Sequence, residues 1–301
     1  MKDIYLENDI SGELYDLGEE ILGGLKERFE GIDRTAEINS LKVLKAMRDN
    51  RVAEACFNPS TGYGYNDIGR EALEAVYASV FHAESALVRP QLMCGTHALC
   101  VALFGNLRPG DELLSPVGKP YDTLENVIGI HPSSGSLAEY GITYRQVDLI
   151  GDCFDLEGIR AAINEKTKLV TIQRSKGYQT RKTLSVDEIG ELISYIKELK
   201  SDVICMVDNC YGEFTETIEP SDVGADLVVG SLIKNPGGGL AETGGYIAGK
   251  KEYVEQAAIR LSTPGLGKEV GATLGVTRSM FQGLFFAPTV VAGALKGAIF
   301  A

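Results

Sequence analysis

The sequence lacks the patterns on which most metal and redox sites are built. Its 301 residues include only three histidines and six cysteines, and no two cysteines form a C-x-x-C pair. Structural zinc sites and thioredoxin-like sites usually depend on that spacing, so both classes are disfavoured. His82 and His131 have no partner at a metal-binding spacing. We therefore expect no metal site, and the isolated cysteines are typical of reduced thiols in the cytosol.

Basic residues are scarce relative to acidic ones. Lys and Arg number 29 against 42 Asp and Glu, which gives a net charge of −13. So acidic a chain disfavours nucleic acids and anionic membranes as partners. The N-terminus has no apolar core of a signal peptide, and no stretch of membrane-spanning length is free of charges and glycine clusters. We expect a cytoplasmic protein that acts on a small molecule.

The chain contains alternating helix and strand patterns instead. Residues 11–50 carry the apolar spacing of helices. Farther on, short apolar runs alternate with helical segments, and Ser185 and Glu188 form the capping-box pattern that opens one of them. This alternation predicts an α/β fold whose mostly parallel, seven-stranded sheet has helices on both faces. The predicted strands are 86–89, 112–115, 142–147, 169–173, 203–207, 227–229 and 245–248.

Two charged residues follow apolar strands of the predicted sheet. Asp208 follows the strand 203–207, and Lys234 follows the strand 227–229, ahead of three glycines. In parallel sheets, ligands bind at the carboxyl ends of strands. A pyridoxal phosphate enzyme requires a lysine for a Schiff base and a carboxylate for the protonated ring nitrogen. Singly, Asp208 is a turn-capping residue and Lys234 a solvated loop residue, but together they favour a cofactor site.

Three further segments could bind a phosphate or a planar ring. Gly95 and Thr96 open a helix after a strand, where backbone N–H groups can hold a phosphate. Ser231 lies three residues before Lys234 and can add a hydroxyl, and Tyr121 can stack on a planar ring. An ordinary turn capped by Thr96, and a turn tyrosine that partly covers the core, explain Gly95, Thr96 and Tyr121 equally well.

The order of these segments resembles a known group of enzymes. Over nearly its whole length the chain is similar to the fold-type-I pyridoxal phosphate enzymes of Cys/Met metabolism. Within them it most resembles the methionine γ-lyase and cystathionine β-lyase-like proteins called aluminium resistance proteins. The specific part is a strand followed by Asp208-Asn209, then Gly224-Ala225-Asp226, then Ser231-x-x-Lys234. The resemblance implies the fold-type-I PLP-dependent transferase fold and pyridoxal 5'-phosphate as the cofactor.

The resemblance also implies a role for each candidate residue. Lys234 corresponds to the Schiff-base lysine, Asp208 to the carboxylate that pairs with the pyridinium, and Tyr121 to the aromatic residue that stacks on the ring. The groups that bind the phosphate correspond to Gly95, Thr96 and Ser231.

Two tyrosines bear on the predicted oligomeric state. Tyr63 and Tyr65 lie in a loop over residues 56–70. By resemblance, one of them stands where a tyrosine of a neighbouring subunit reaches the phosphate. The resemblance therefore implies a homodimer or homotetramer whose active site is shared between subunits.

The segment after the fourth predicted strand departs from the family pattern. Where the class often has a T-P-x-N-P turn, this chain reads Gln173-Arg174-Ser175-Lys176-Gly177-Tyr178. We expect Gln173, Arg174 and Lys176 to lie near the substrate. The arginine that binds the substrate carboxylate lies in the C-terminal domain of the class and has no assigned counterpart.

Three segments are expected along the chain. Residues 1–55 form an N-terminal helical segment with dimer contacts, residues 56–250 form the large cofactor-binding domain, and residues 251–301 begin a linker helix and an incomplete C-terminal domain. The last residues follow an apolar, small-residue helix pattern without a cap. We therefore expect a fragment of a longer protein in which the small domain is truncated.

The expected function is that of a PLP-dependent carbon–sulfur lyase acting on a sulfur-containing amino acid. Lys234 would take the Cα proton, and burial is expected to lower its pKa for that task. Two alternatives keep the cofactor, namely another PLP enzyme such as an aldolase or aminotransferase, or a catalytically inactive PLP-binding protein. A plain nucleotide-binding protein is disfavoured, because neither G-x-G-x-x-G nor G-x-x-x-x-G-K-[ST] occurs at a strand end.

Overall fold

A computed structural model describes all of residues 1–301. Its helices are α1 Lys2–Leu6, α2 Gly12–Asp49, α3 Ile68–Val80, α4 Gly95–Asn106, α5 Asp122–Ile128, α6 Leu156–Ala162, α7 Val186–Leu199, α8 Lys251–Leu261 and α9 Thr277–Phe300. Its strands are β1 Ser85–Arg89, β2 Glu112–Ser115, β3 Thr143–Gln146, β4 Thr167–Gln173, β5 Ile204–Asp208, β6 Leu227–Ser231 and β7 Gly245–Gly249.

All seven strands belong to one sheet, in the order β1-β7-β6-β5-β4-β2-β3. Strand β7 runs antiparallel to its neighbours β1 and β6, and every other pairing is parallel. The predicted mostly parallel, seven-stranded sheet is therefore confirmed. Each residue of β5 and β6 is buried, as expected of central strands covered on both faces.

Two hydrophobic clusters cover the two faces of the sheet. Along β5, Cys205 and Val207 belong to a cluster of 36 buried residues, whereas Ile204 and Met206 belong to a second cluster of 22. Alternate side chains of a strand point to opposite faces, so each cluster lies on one face. Helices α3, α7 and α9 contribute to the first cluster, and α4 and α8 to the second. Helices on both faces are thus confirmed.

Polar side chains fix where several helices begin. The Ser185 side chain accepts from the N–H of Glu188 at 3.2 Å, and Glu188 accepts from the N–H of Ser185 at 2.9 Å. This is the capping box predicted for α7. Ser11 caps α2 in the same manner by accepting from the N–H of Leu14. Such caps replace hydrogen bonds that the first turn of a helix cannot make internally.

The two longest helices pack against each other. Helix α9 lies along α2, and Lys296 Nζ donates to Asp33 Oδ1 at 2.5 Å. By length and composition alone α9 could cross a membrane, and 33% of its most apolar window is buried in the molecule. The sequence predicts no such stretch, because Lys296 and several glycines interrupt this apolar run. Its residues Met280, Phe281 and Leu284 belong to the core beneath the sheet.

The carboxyl ends of β4, β5 and β6 meet at one edge of the sheet. Gln173 at the end of β4 pairs with Asp208 at the end of β5, and Asp208 pairs with Val229 of β6. Strand β6 then ends at Ser231. Helix α4 begins at the same edge, because a Cβ on Gly95 would lie 3.1 Å from Ser231 Cβ. The predicted domain boundaries at residues 55 and 250 remain predictions.

Candidate active site

Asp208 is the last residue of β5 and is buried at the edge of the sheet. Its Oδ1 accepts a hydrogen bond from the N–H of Cys210 at 3.1 Å. Burial raises the pKa of Asp208, and the hydrogen bonds from Cys210 and the charge of Lys234 oppose that rise. A cation placed against this carboxyl group would further favour its ionised form. The geometry suits a protonated ring nitrogen.

Lys234 follows β6 and is half-buried beside the same turn. Its Nζ lies 4.1 Å from the centroid of the Tyr211 ring. Burial acts to lower the pKa of Lys234, but the neighbouring Cys210, Tyr211 and Asp208 outweigh burial and raise it. The expectation that burial lowers this pKa is therefore wrong for the ligand-free protein, because acidic groups on one turn surround the amine.

The phosphate-binding prediction has a matching cradle in the structure. A Cβ on Gly95 would lie 3.1 Å from both Ser231 Cβ and Cys210 Sγ, so α4 begins in direct contact with β6. The Ser231 hydroxyl is buried without a hydrogen-bond partner. No side chain caps the N-terminus of α4. An unpartnered hydroxyl next to an uncapped helix start fits an anion, which is what the phosphate of PLP would be.

Thr96 contributes to the link between this helix and the next. Its Oγ1 lies 2.7 Å from Oγ1 of Thr123 in the first turn of α5. His97 Nδ1 accepts from the N–H of Met93 at 3.2 Å, and burial lowers the pKa of His97. His97 therefore stabilises the turn that precedes α4 through this hydrogen bond. A phosphate held at this helix start would have the Thr96 hydroxyl among its neighbours.

Tyr121 precedes α5 and is stacked on a second tyrosine. Its ring centroid lies 5.7 Å from that of Tyr178, with 28° between the ring planes, and the two hydroxyl oxygens are 3.4 Å apart. The hydrogen bond with Tyr178 raises the pKa of Tyr121, and the charge of Lys234 opposes part of that rise. The predicted stacking role of Tyr121 remains a prediction.

The segment after β4 forms one wall of a cavity of about 320 Å³. Gln173 Nε2 donates to Ser175 O at 2.9 Å, while Gln173 Oε1 is buried and unpartnered. Lys176 is exposed at the mouth of the cavity. Both residues lie where the predicted substrate contacts could occur. The cavity is lined by Lys119, Pro120, Tyr121, Asp122, Gln173, Lys176, Gly177, Tyr178 and Gln179.

The side chain of Arg174 does not lie where a residue near the substrate was expected. Its side chain is 1% exposed and does not line the cavity. Nη1 donates to Asn209 Oδ1 at 2.8 Å and to Gly212 O at 2.9 Å, and Nη2 pairs with Glu216 at 2.5 Å. Arg174 directly follows β4, and its side chain lies under the turn that follows β5. Arg174 holds that turn and has no donor left for a substrate in this arrangement.

Tyr63 and Tyr65 lie apart from the residues above. Their rings are 77% and 51% exposed, with centroids 5.9 Å apart. The loop that carries them is tied to a later segment, because the N–H of Gly271 donates to Tyr63 O at 2.9 Å. No hydrogen bond or ring contact joins either tyrosine to Lys234. Their predicted role toward a neighbouring subunit remains a prediction.

A buried polar network lies under the turn that follows β5. Tyr246 donates to Glu213 Oε1 at 2.9 Å, and Asn209 Nδ2 donates to Glu219 Oε2 at 2.9 Å. Burial raises the pKa of Glu213 to about 8, and the nearby Glu219 adds to the rise. A Cβ on Gly230 would lie 2.4 Å from Glu213 Oε1, so β6 leaves room for this acid.

Cys210, Tyr211 and Tyr178 are site residues that were not predicted. Cys210 and Tyr211 lie two and three residues after Asp208, and that closeness in the sequence is a signal that could have identified them. Tyr178 lies in the segment 173–178 that departs from the family pattern. The positive φ of Tyr211, 69°, cannot be inferred from residue type, because non-glycine residues seldom adopt it.

Other parts of the molecule have fewer reactive side chains in one place. A cavity of about 610 Å³ lies among α1, α2 and the end of α9 and is lined mainly by hydrophobic residues. No group of three or more His, Cys, Asp and Glu side chains is arranged to hold a metal ion. Of the sites described, only the sheet edge brings together an amine, a carboxyl group and an anion cradle.

Comparison with known proteins agrees with this geometry. The profile of the family described as methionine gamma-lyase matches residues 14–301. The chain belongs to the methionine γ-lyase family. The resemblance inferred from the sequence is confirmed.

Individual relatives differ in how much of their length the chain covers. The uncharacterized protein YnbB of Bacillus subtilis (strain 168) is 53% identical over 89% of this chain and 65% of its own length. The chain thus spans less than two thirds of that relative. A carbon-sulfur lyase involved in aluminum resistance from Clostridium novyi NT is 51% identical, with a TM-score of 0.96 over 99% of this chain and 72% of its own.

A more distant structure supports the fold assignment. The pyridoxal-5'-phosphate dependent protein YhfS from Escherichia coli has a TM-score of 0.65 at 17% identity, over 88% of this chain and 67% of its own. At that identity the likeness concerns the fold alone. The fold is that of the fold-type-I PLP-dependent enzymes, as predicted.

Proposed function

We propose that the protein is a PLP-dependent carbon–sulfur lyase that acts on a sulfur-containing amino acid in the cytoplasm. The observation that carries the proposal is the meeting of Lys234, Asp208 and the unpartnered Ser231 hydroxyl at one sheet edge. Membership of the methionine γ-lyase family and the likeness to a carbon-sulfur lyase from C. novyi support it.

The residues of the site would hold the cofactor at three points. When bound, PLP supplies an aldehyde that reacts with amines and a ring that draws electrons from Cα. Asp208 would keep a proton on the ring nitrogen. The start of α4 at Gly95 and the Ser231 hydroxyl would hold the phosphate. Tyr121 would stack on the ring.

Lys234 would move the proton at Cα. To accept it, the amine must be neutral, whereas Asp208, Cys210 and Tyr211 raise its pKa in the ligand-free protein. A protonated ring nitrogen beside Asp208 would offset the charge of that carboxylate. The pKa of Lys234 would then fall toward the range in which an amine can act as a base. Breakage of the carbon–sulfur bond would release a thiol.

A thiol-release assay tests the reaction. Protein supplied with PLP is incubated separately with methionine, cystathionine and cysteine, and both thiol and keto acid are measured. We expect release from at least one of them, and loss of release in Lys234→Ala. Lys26→Ala, at an exposed position of α2, is the matched control and should keep the activity. Thiol release by Lys234→Ala would refute the assigned role, and amino-group exchange without thiol would indicate an aminotransferase.

We further propose a homo-oligomer in which Tyr63 or Tyr65 completes the site of a neighbouring subunit. The exposure of both rings at 77% and 51% is compatible with that role. Subunit mixing tests it. Lys234→Ala and the double variant Tyr63→Phe/Tyr65→Phe are each expected to be impaired, whereas a refolded mixture should recover about a quarter of wild-type activity. No recovery in a mixture that forms hybrid oligomers would refute a shared site.

A further inference from the structure

Tyr211 combines a strained backbone with an exposed side chain. Its φ of 69° lies in the left-handed region, and its side chain is 60% exposed. A bulky residue in that region costs stability, and such strain is concentrated at functional sites. An exposed ring recovers little of the cost through burial. Packing therefore does not explain why a tyrosine occupies this position.

The residues on either side of Tyr211 fix its conformation. The N–H of Gly212 donates to Asn209 O at 2.7 Å. Arg174 Nη1 donates to Asn209 Oδ1 at 2.8 Å and to Gly212 O at 2.9 Å. These hydrogen bonds anchor the turn from beneath without using the Tyr211 side chain. The direction of the ring is consequently set by the turn, whichever ligand is present.

That direction brings the ring face onto Lys234. The distance of 4.1 Å from Nζ to the ring centroid is well within the range of a cation–π interaction. Other titratable groups also face Lys234, namely Asp208 and Cys210 from the same turn and Tyr121 from the start of α5. Asp208 is expected to pair with a bound ring nitrogen. Among the remaining neighbours, Tyr211 presents its ring face to the lysine cation.

We infer that Tyr211 is a positioning residue for Lys234, whose ammonium group it holds over its ring face. The catalytic part of this inference rests on the proposed function. When Lys234 has taken a proton, the ring stabilises the resulting cation and keeps it beside the reacting atoms. When no ligand is bound, the same contact keeps the amine at the sheet edge.

The pKa of Lys234 in the cofactor-free protein tests the contact directly. Trace acetylation across alkaline pH, with mass spectrometry of the Lys234 peptide, gives both the apparent pKa and the intrinsic reactivity. We expect the pKa of Lys234 to fall by about half a unit in Tyr211→Ala and Tyr211→Asn, and to fall by less in Tyr211→Phe, which keeps the ring face and loses only the acidic hydroxyl. Below the pKa, labelling of Lys234 should become about threefold faster in the first two variants.

A matched control separates strain from the contact. Leu274 also has a positive φ, 55°, and is 66% exposed. Asparagine tolerates this backbone region, so Tyr211→Asn and Leu274→Asn should both raise the melting temperature. Only Tyr211→Asn should change the pKa of Lys234. A wild-type pKa in Tyr211→Ala, or a fall in Tyr211→Phe equal to that in Tyr211→Ala, would overturn the inference.

The result of the labelling experiment does not depend on the proposed function. The labelling uses no cofactor, so it reports on Tyr211 and Lys234 whatever the protein catalyses. If wild-type protein does not attach PLP to Lys234 in a borohydride trap, the proposed function fails. If it does attach PLP and the labelling is unchanged in Tyr211→Ala, only the role of Tyr211 fails.

Discussion

The buried hydroxyl of Ser231 lowers the stability of the ligand-free protein. This hydroxyl has no partner, and an unpaired buried polar group costs about 1–3 kcal/mol. We expect Ser231→Ala to leave the free energy of unfolding unchanged or to raise it by about 1 kcal/mol in ligand-free protein. The affinity for PLP should fall about tenfold, because the phosphate loses a hydrogen bond. Thermal melts and an absorbance titration with PLP measure the two effects.

Ser115 provides the control for that comparison. It is also buried, but its Oγ donates to Gly118 O at 2.6 Å. Ser115→Ala should lower stability by about 1 kcal/mol and leave PLP binding unaffected. Equal losses of stability in both variants, with unchanged PLP affinity, would show that Ser231 has no role toward an anion.

Glu213 is expected to make stability depend on pH. Burial raises its pKa from the ordinary 4.5 to about 8 in the folded protein. Between these values the unfolded chain loses the proton while the folded protein keeps it, so stability falls as pH rises through this interval. In Glu213→Gln the free energy of unfolding should no longer fall over this pH interval. The expected difference from wild type is as much as a few kcal/mol.

Urea unfolding of wild type and Glu213→Gln at several pH values measures this effect. The difference in unfolding free energy between the two proteins should shift in favour of the variant as pH rises from 5 to 8. Groups that do not interact with Glu213 cancel in this difference, whereas Glu219, whose charge acts on Glu213, contributes to it. A difference that stays constant with pH would mean that Glu213 is ionised in the folded protein at low pH as well.

Residue patterns located part of the candidate site. Asp208, Ser231 and Lys234 were predictable because each stands at the end of a readable apolar strand. Arg174 was misassigned, because the direction of a side chain at a strand end depends on the pleat and on the turn beneath it. Tyr211 was missed, because a left-handed φ arises from tertiary hydrogen bonds.

At the scale of elements, buried strands were the most predictable feature. Strands covered on both faces are continuous apolar runs, so β1, β2 and β7 were located to within one residue at each end. The antiparallel direction of β7 was not predictable, since it depends on the path of the chain between β6 and β7. Helix α1 was missed, because five residues carry too little periodicity.

Helix α2 offers a prediction about helix propensity. Gly23 lies in the middle of this 38-residue helix, and nothing would approach a Cβ there within 4 Å. Gly23→Ala should stabilise the protein by about 0.5–1 kcal/mol, because alanine loses less backbone freedom on folding. Chemical denaturation measures the change.

Gly105 in α4 is the opposite case. A Cβ there would lie 2.8 Å from Gln256 O in α8, so the two helices approach through this glycine. Gly105→Ala should destabilise the protein by about 1–3 kcal/mol despite the better helix propensity. Stabilisation by both substitutions would contradict the close packing of α4 against α8.

At the scale of the whole molecule, the site depends on contacts between distant parts of the chain. Gly95 meets Ser231, and Arg174 anchors Asn209 and Gly212, although many residues separate the partners. The parallel order of β4, β5 and β6 brings these segments to one edge. Sequence patterns located the segments, whereas the sheet order and the turn geometry that join them required the structure.

The central claim is that Lys234 is the residue that carries PLP. The most direct measurement is to mix the protein with PLP, reduce it with borohydride and locate the label by peptide mass spectrometry. We expect the reduced adduct on the peptide that contains Lys234, and no label there in Lys234→Ala. Absence of label on Lys234 in the wild-type protein, or a principal label on another lysine, would contradict the claim.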